Sequence, residues 1–247
     1  MTASASTEVR PFLRARWESL LMLNWACPSE WLAERVPRGV ELDPFDGECL
    51  VSVVGLLFKD TRVRGLRIPW HVNFEEVNLR FYVRRVMPDG EVRRAVTFVS
   101  ELVPRRAIAA VARLAYNEPY RTVPMSHAVA LDPESGGSVE YSWYLGKEPY
   151  AMQAVAQGPA LESAPDSEAE FITEHYWGYT RMRDGGTSEY PVQHPRWRVW
   201  DVPGATLHGD LSALYGSDFG ALLSTPPRSA FLAEGSEVEV FPGCRIA

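Results

Sequence analysis

The stretch Asn73-Phe74-Glu75-Glu76-Val77-Asn78-Leu79-Arg80-Phe81-Tyr82-Val83 decides the fold. From Val77 to Val83 its odd positions are Val77, Leu79, Phe81 and Val83, an apolar face with the period of two that marks a strand. A strand projects alternate side chains to opposite sides, so Phe74, Glu76, Asn78, Arg80 and Tyr82 stand in one row on the other face. An acid, an amide and a guanidinium bracketed by two aromatics resemble the wall of a cavity with a polar floor. The same residues also fit a solvated strand face carrying a Glu–Arg cross-pair, and strand statistics leave both readings open.

Outward from this strand, Pro88-Asp89-Gly90 predicts a tight turn into a second strand over 91–102. Proline presets the first turn angle and glycine tolerates the left-handed one. Upstream, Asp46-Gly47 is a hairpin signal, and 50–58 is so uniformly apolar that both of its faces are expected to be buried. The run 16–25 reads as a buried strand, and Ser29 as the cap of a short helix over 30–36. Pro104 opens an Ala-rich helix over 104–116, with Arg105 and Arg106 in its first turn. Cations are misplaced there, since the helix dipole is positive at that end, and an anion beside them would relieve the misfit.

Further strands are expected over 122–131 and 138–145, then a loop over 158–167. Ser167-Glu168-Ala169-Glu170 is a capping box starting a helix to about His175. A hairpin around Asp184-Gly185-Gly186, a small helix over 211–215 capped by Asp210, and a last strand over 237–241 complete the pattern. Many short strands, three or four short helices and no βαβ rhythm predict a mainly β, antiparallel sheet closed or nearly closed on itself. One domain over 16–247 is expected, after a frayed tail over 1–15.

The net charge of −7 argues against a nucleic-acid groove, which needs a basic surplus. Cys27, Cys49 and Cys244 are widely spaced and lack a Cys-x-x-Cys pair, as expected of reduced thiols in a cytoplasmic protein. No apolar run approaches the ~20 residues that span a bilayer, so no membrane partner is expected. There is no phosphate loop, dinucleotide fingerprint or nucleophile elbow, and no two histidines have the spacing of a metal-binding helix. Neither a metal nor a cofactor is implied. His194, beside Pro195 and near Trp197, reads as a buried, hydrogen-bonded structural histidine ahead of a catalytic one. The tryptophans read as core.

Several of these segments together resemble a known family. Leu23-Asn24-Trp25, the run Val36 to Asp43, Asp46-Gly47, Phe74 to Val83 and His194 to Trp197 are similar to the YqjF-like domain of unknown function 2071, which in turn resembles the acetoacetate decarboxylase-like superfamily. The resemblance implies a conical β-barrel with flanking helices, a central cavity, and assembly as a homodimer or larger homo-oligomer. It also implies a departure in chemistry. Acetoacetate decarboxylases use a lysine as Schiff-base nucleophile, and the loosely corresponding segment here is Pro104-Arg105-Arg106. Only Lys59 and Lys147 are lysines, and a guanidinium does not add to a carbonyl as an amine does. A second carboxylate of those enzymes falls near Ser52-Val53 and is missing, while Glu76 matches.

The expectation is therefore a barrel that binds a small organic acid or carbonyl compound without a Schiff base. Arg80, with Arg105 or Arg106, would pair with an anion; Glu76 and Asn78 would orient its polar end, with Phe74, Tyr82 and His194 completing the site. A lyase or isomerase using Glu76 as general acid or base is the alternative. A non-catalytic protein, in which a buried Glu76–Arg80 pair merely sets register, is the third.

Overall fold

The computed structural model describes residues 9–105 and 119–247. Its first strands are β1 (Leu13–Ala26), β2 (Glu41–Leu42), β3 (Leu50–Val63), β4 (Phe74–Val86), β5 (Val92–Val103), β6 (Tyr120–Thr122) and β7 (Met125–Asp132). Then come β8 (Gly136–Leu145), β9 (Glu148–Glu162), β10 (Trp177–Arg181), β11 (Thr187–Gln193), β12 (Arg198–Asp201), β13 (Thr206–His208), β14 (Ser229–Val240) and β15 (Cys244–Arg245). Four short helices are described: α1 (Ser29–Ala33), α2 (Glu168–Thr173), α3 (Leu211–Tyr215) and α4 (Ser217–Leu223).

Seven strands close a ring in the order β1-β3-β4-β5-β10-β11-β14, with β14 returning to β1. From β14 the sheet continues through β12 into β9, β8 and β7, a second layer that packs on the ring's outside. From Glu76 to Val83 strand β4 therefore has no wet face. Val77, Leu79, Phe81 and Val83 join an outer core with Tyr141, Trp143 and Met152 of the covering layer. Phe74 and Tyr82 point into a separate inner core with Leu56, Phe58, Phe171 and Trp197. Burial on both faces also explains the unbroken apolar run of β3. The two layers meet closely at Gly55, where a Cβ would stand 2.6 Å from the Tyr141 ring and 2.7 Å from Met152 Sδ.

The mainly β, closed sheet is as expected, but it is not purely antiparallel. The pairings of β10 and β6 with β5 are parallel, because the chain returns to that edge through intervening segments rather than a hairpin. The Pro88–Gly90 turn forms as expected, with Gly90 N–H donating to Met87 O at 2.9 Å and φ of 90° at Gly90. The hairpin around Asp184–Gly186 and the Asp210 cap are also present; Asp210 accepts from Ala213 N–H at 2.9 Å.

Four expectations are revised. Ser29 lies inside α1, whose N-cap is Pro28 and has no side-chain oxygen to offer. Residues 148–162 form one long strand rather than ending in a loop from 158; its buried positions Tyr150, Met152, Ala154 and Ala156 alternate, though two of the four are alanines. The last strand begins at Ser229, not 237. Leu13–Ala15 belong to β1 rather than to a tail. The helix expected over 104–116 lies almost wholly outside the described residues.

Ring closure puts a specific demand on Gly235, opposite Glu18 at the β1–β14 seam. Its φ is +85°, and a Cβ would fall 1.9 Å from Trp17 O. Gly235→Ala is expected to cost about 2–4 kcal/mol in denaturant unfolding. Gly47→Ala, at φ +82° but facing open space, is expected to cost only about 1 kcal/mol.

Candidate functional site

Inside the ring lies a cavity of about 120 Å³. Its floor is the inner row of β4, where Phe74, Glu76, Asn78 and Arg80 all reach the lumen. Glu76 and Arg80 are four positions apart along the strand, roughly 13 Å of backbone at ~3.3 Å per residue, so the row has an acidic pole and a cationic pole.

At the acidic pole Glu76 is 4% exposed. Its Oε1 accepts from Asn78 Nδ2 at 3.0 Å, and its Oε2 from the Tyr120 hydroxyl at 2.9 Å. Burial penalises the charged carboxylate and pushes its pKa up from 4.5 to about 7, against the pull of those two donors and of Arg80. A second carboxylate, Glu101, sits directly opposite Asn78. It reaches the lumen because of a β-bulge: Leu79 pairs with Ser100 but Arg80 with Phe98, leaving Val99 as an extra residue. Before the bulge Val96 and Phe98 face inward; after it, Glu101 does.

At the cationic pole Arg80 is 9% exposed and makes no ion pair with any described carboxylate. One terminal nitrogen lies 3.5 Å from Ile172 O and 3.9 Å from Met22 Sδ, and Nε meets no acceptor. The Glu76–Arg80 pair that the sequence left open is thus not formed; Asn78 and Tyr120 hold Glu76 instead. Helix α2, capped by Ser167 Oγ accepting from Glu170 N–H at 3.2 Å, ends against this pole and presents Ile172 and Thr173. His175 follows, buried, with Nε2 3.8 Å from Asp43 Oδ2, beyond hydrogen-bond reach. Burial lowers its pKa to about 4, so the ring is neutral at pH 7 and neither nitrogen is hydrogen-bonded. Trp17 adds another buried donor, Nε1, without an acceptor.

His194 lines the cavity as well, stacked on Trp197 with centroids 4.0 Å apart. Its Nδ1 lies 2.9 Å from Pro195 O, which fixes that nitrogen as the donor, and burial lowers its pKa. Tyr82 is placed differently. It is buried but does not line the cavity; its hydroxyl is 2.6 Å from Ser52 Oγ, which donates to Asn24 Oδ1 at 2.6 Å, while its ring packs on Phe171 and His175. Arg105 is exposed and away from the cavity lining, so it does not join Arg80, and Arg106 lies outside the described residues. Neither lysine lines the cavity: Lys59 lies at the rim of an outer groove and Lys147 in the exposed turn between β8 and β9. Glu101, His175, Tyr120 and Trp17 were not singled out from sequence. Among the described residues no three His, Cys, Asp or Glu side chains cluster as metal ligands, and no helix is long and apolar enough to cross a membrane.

This ring with its covering layer is the acetoacetate decarboxylase-like fold. It is similar to acetoacetate decarboxylase from Legionella pneumophila, with TM-score 0.70 and 14% identity over 100% of this chain and 92% of that one. It is also similar to the enduracididine biosynthesis enzyme MppR complexed with pyruvate, with TM-score 0.67 and 12% identity over 98% and 93%. At such identities the likeness concerns the fold alone. The chain itself belongs to the DUF2071 family of uncharacterized conserved proteins, whose model matches residues 14–237. The uncharacterized protein YqjF of Bacillus subtilis is 28% identical over 189 residues, 74% of this chain and 73% of that protein.

The raised pKa of Glu76 has a sign that can be measured. Below about pH 4.5 the carboxyl is protonated folded or unfolded; as pH rises to about 7 the unfolded chain ionises first, so the native state loses stability over that window. Glu76→Gln removes the effect. Its stability relative to wild type is expected to improve by about 3 kcal/mol between pH 4 and pH 8, read from urea unfolding at each pH.

Proposed function

We propose that the ring is a barrel that binds a small organic acid or carbonyl compound inside the cavity, without Schiff-base chemistry. The observation that carries this reading is the unmatched donor set. Arg80 Nε, Trp17 Nε1 and a neutral His175 are buried at one lumen with no acceptor among the described residues. A buried cation left without a counter-charge costs several kcal/mol, and a carboxylate brought to it would recover much of that. A guanidinium fork suits a carboxylate because two parallel bonds form at once. Glu76 and Asn78 then meet the far end of the ligand; Asn78 Oδ1 has no donor of its own. That MppR holds pyruvate in the same fold is consistent with an acid in such a lumen.

The position of Glu76 supports one further reading. A carboxyl with a pKa about 7 is poised to give or take a proton near neutrality, as a general acid or base for a lyase or isomerase needs. Loss of turnover in Glu76→Gln with ligand binding retained would establish that role.

In isothermal titration against a panel of organic acids, at least one is expected to bind the wild type saturably. Arg80→Met is expected to weaken it at least roughly thirtyfold without loss of stability, since an apolar side chain replaces an uncompensated charge. Affinity is expected to fall as pH rises above 7, where ionised Glu76 repels the incoming anion, and Glu76→Gln is expected to flatten that profile. Should Arg80→Met bind acids as tightly as wild type, the reading fails.

A further inference from the structure

Resting on the acid-binding reading, we infer that the ligand is a single-ring aromatic monocarboxylate, its carboxylate at Arg80 and His175 and its ring against a wall of aromatic side chains. The wall is continuous. Phe74 stacks on Phe58 with centroids 4.7 Å apart and planes 12° from parallel. Trp17 meets Phe58 edge-on at 5.6 Å and Trp197 at 6.2 Å, and Trp197 carries the stacked His194. Phe98 and Trp177 add ring surface from β5 and β10.

Four properties of the lumen converge on this ligand. Its walls are apolar apart from the two poles, so most of the ligand must be hydrocarbon. The hydrocarbon is best aromatic, because offset and edge-to-face contacts between rings add an attraction beyond buried area that a saturated chain does not receive. The volume sets an upper bound: an apolar cavity of about 150 Å³ holds benzene, so one of about 120 Å³ takes no more than a single ring and excludes a fused pair. The charge is set by the donor surplus at Arg80, Trp17 and His175, which a neutral ring would leave unanswered. A ring carboxylate also spans from the cationic pole toward Asn78 and Glu76 without bringing its own charge to them.

The test is titration calorimetry on the intact chain with benzoate, benzamide, cyclohexanecarboxylate, propionate and 1-naphthoate. Benzoate is expected to bind at least tenfold tighter than each of the others. Phe74→Leu is expected to weaken benzoate at least fivefold while leaving propionate within twofold, and Arg80→Met to abolish the preference for benzoate over benzamide. Propionate or cyclohexanecarboxylate binding as tightly as benzoate would overturn the aromatic assignment and leave acid binding intact. Equal binding of 1-naphthoate would overturn the size limit. Benzamide equalling benzoate, or no saturable binding of any acid, would overturn both readings. Circular dichroism of the two variants, expected to match the wild type, separates a lost site from a lost fold.

Discussion

Burial of both faces of β4 is the constraint from which the rest follows. From Glu76 to Val83 both sides of this strand are buried, so each polar group on that part of its inner row must be answered by the protein or by something the protein takes in. Asn78 and Tyr120 answer Glu76 at the acidic pole. The guanidinium of Arg80 has a carbonyl and a thioether at the edge of reach and the Tyr82 ring 5.7 Å away, but no carboxylate among the described residues. Elsewhere in this structure buried charges are paired. Glu189 is held by Arg85, Arg93 and the Tyr179 hydroxyl, and Asp43 by Arg94. The asymmetry at Arg80 is therefore a property of the lumen, not a general looseness of the fold.

What could be read from the sequence was what depends on neighbours along the chain. The period of two placed Phe74, Glu76, Asn78 and Arg80 on one row, and proline and glycine placed the turns at 88–90 and 184–186. Asp210 and Ser167 cap because a side-chain oxygen three residues before an amide is a local arrangement. Tyr82 shares the row but not the cavity, since its hydroxyl is claimed by Ser52 and α2 closes over its ring. Such claims come from segments distant in sequence.

The same limit hid most of the second half of the site. His175, Tyr120 and Trp17 reach the lumen from separate elements, and nothing in their local sequence distinguishes them from core residues. The parallel seam between β10 and β5, only two residue pairs long, depends on where a long connection happens to return. Arg105 was grouped with Arg80 by the chemistry of the residue type, and its exposure shows that type without placement is a weak guide.

The extra residue at Val99 carries a consequence of its own. Up to Phe98 the wall of β5 is hydrocarbon; one residue out of step, and an acid enters the lumen while every earlier side chain keeps its place. Were β5 to pair with β4 without the bulge, Val99 would stand opposite Leu79 and Ser100 opposite Asn78, putting a hydroxyl where the carboxylate is with no substitution at all. The charge inside the lumen is thus set by strand register as well as by residue identity, and a change of register alone would leave no trace in a position-by-position comparison of sequences.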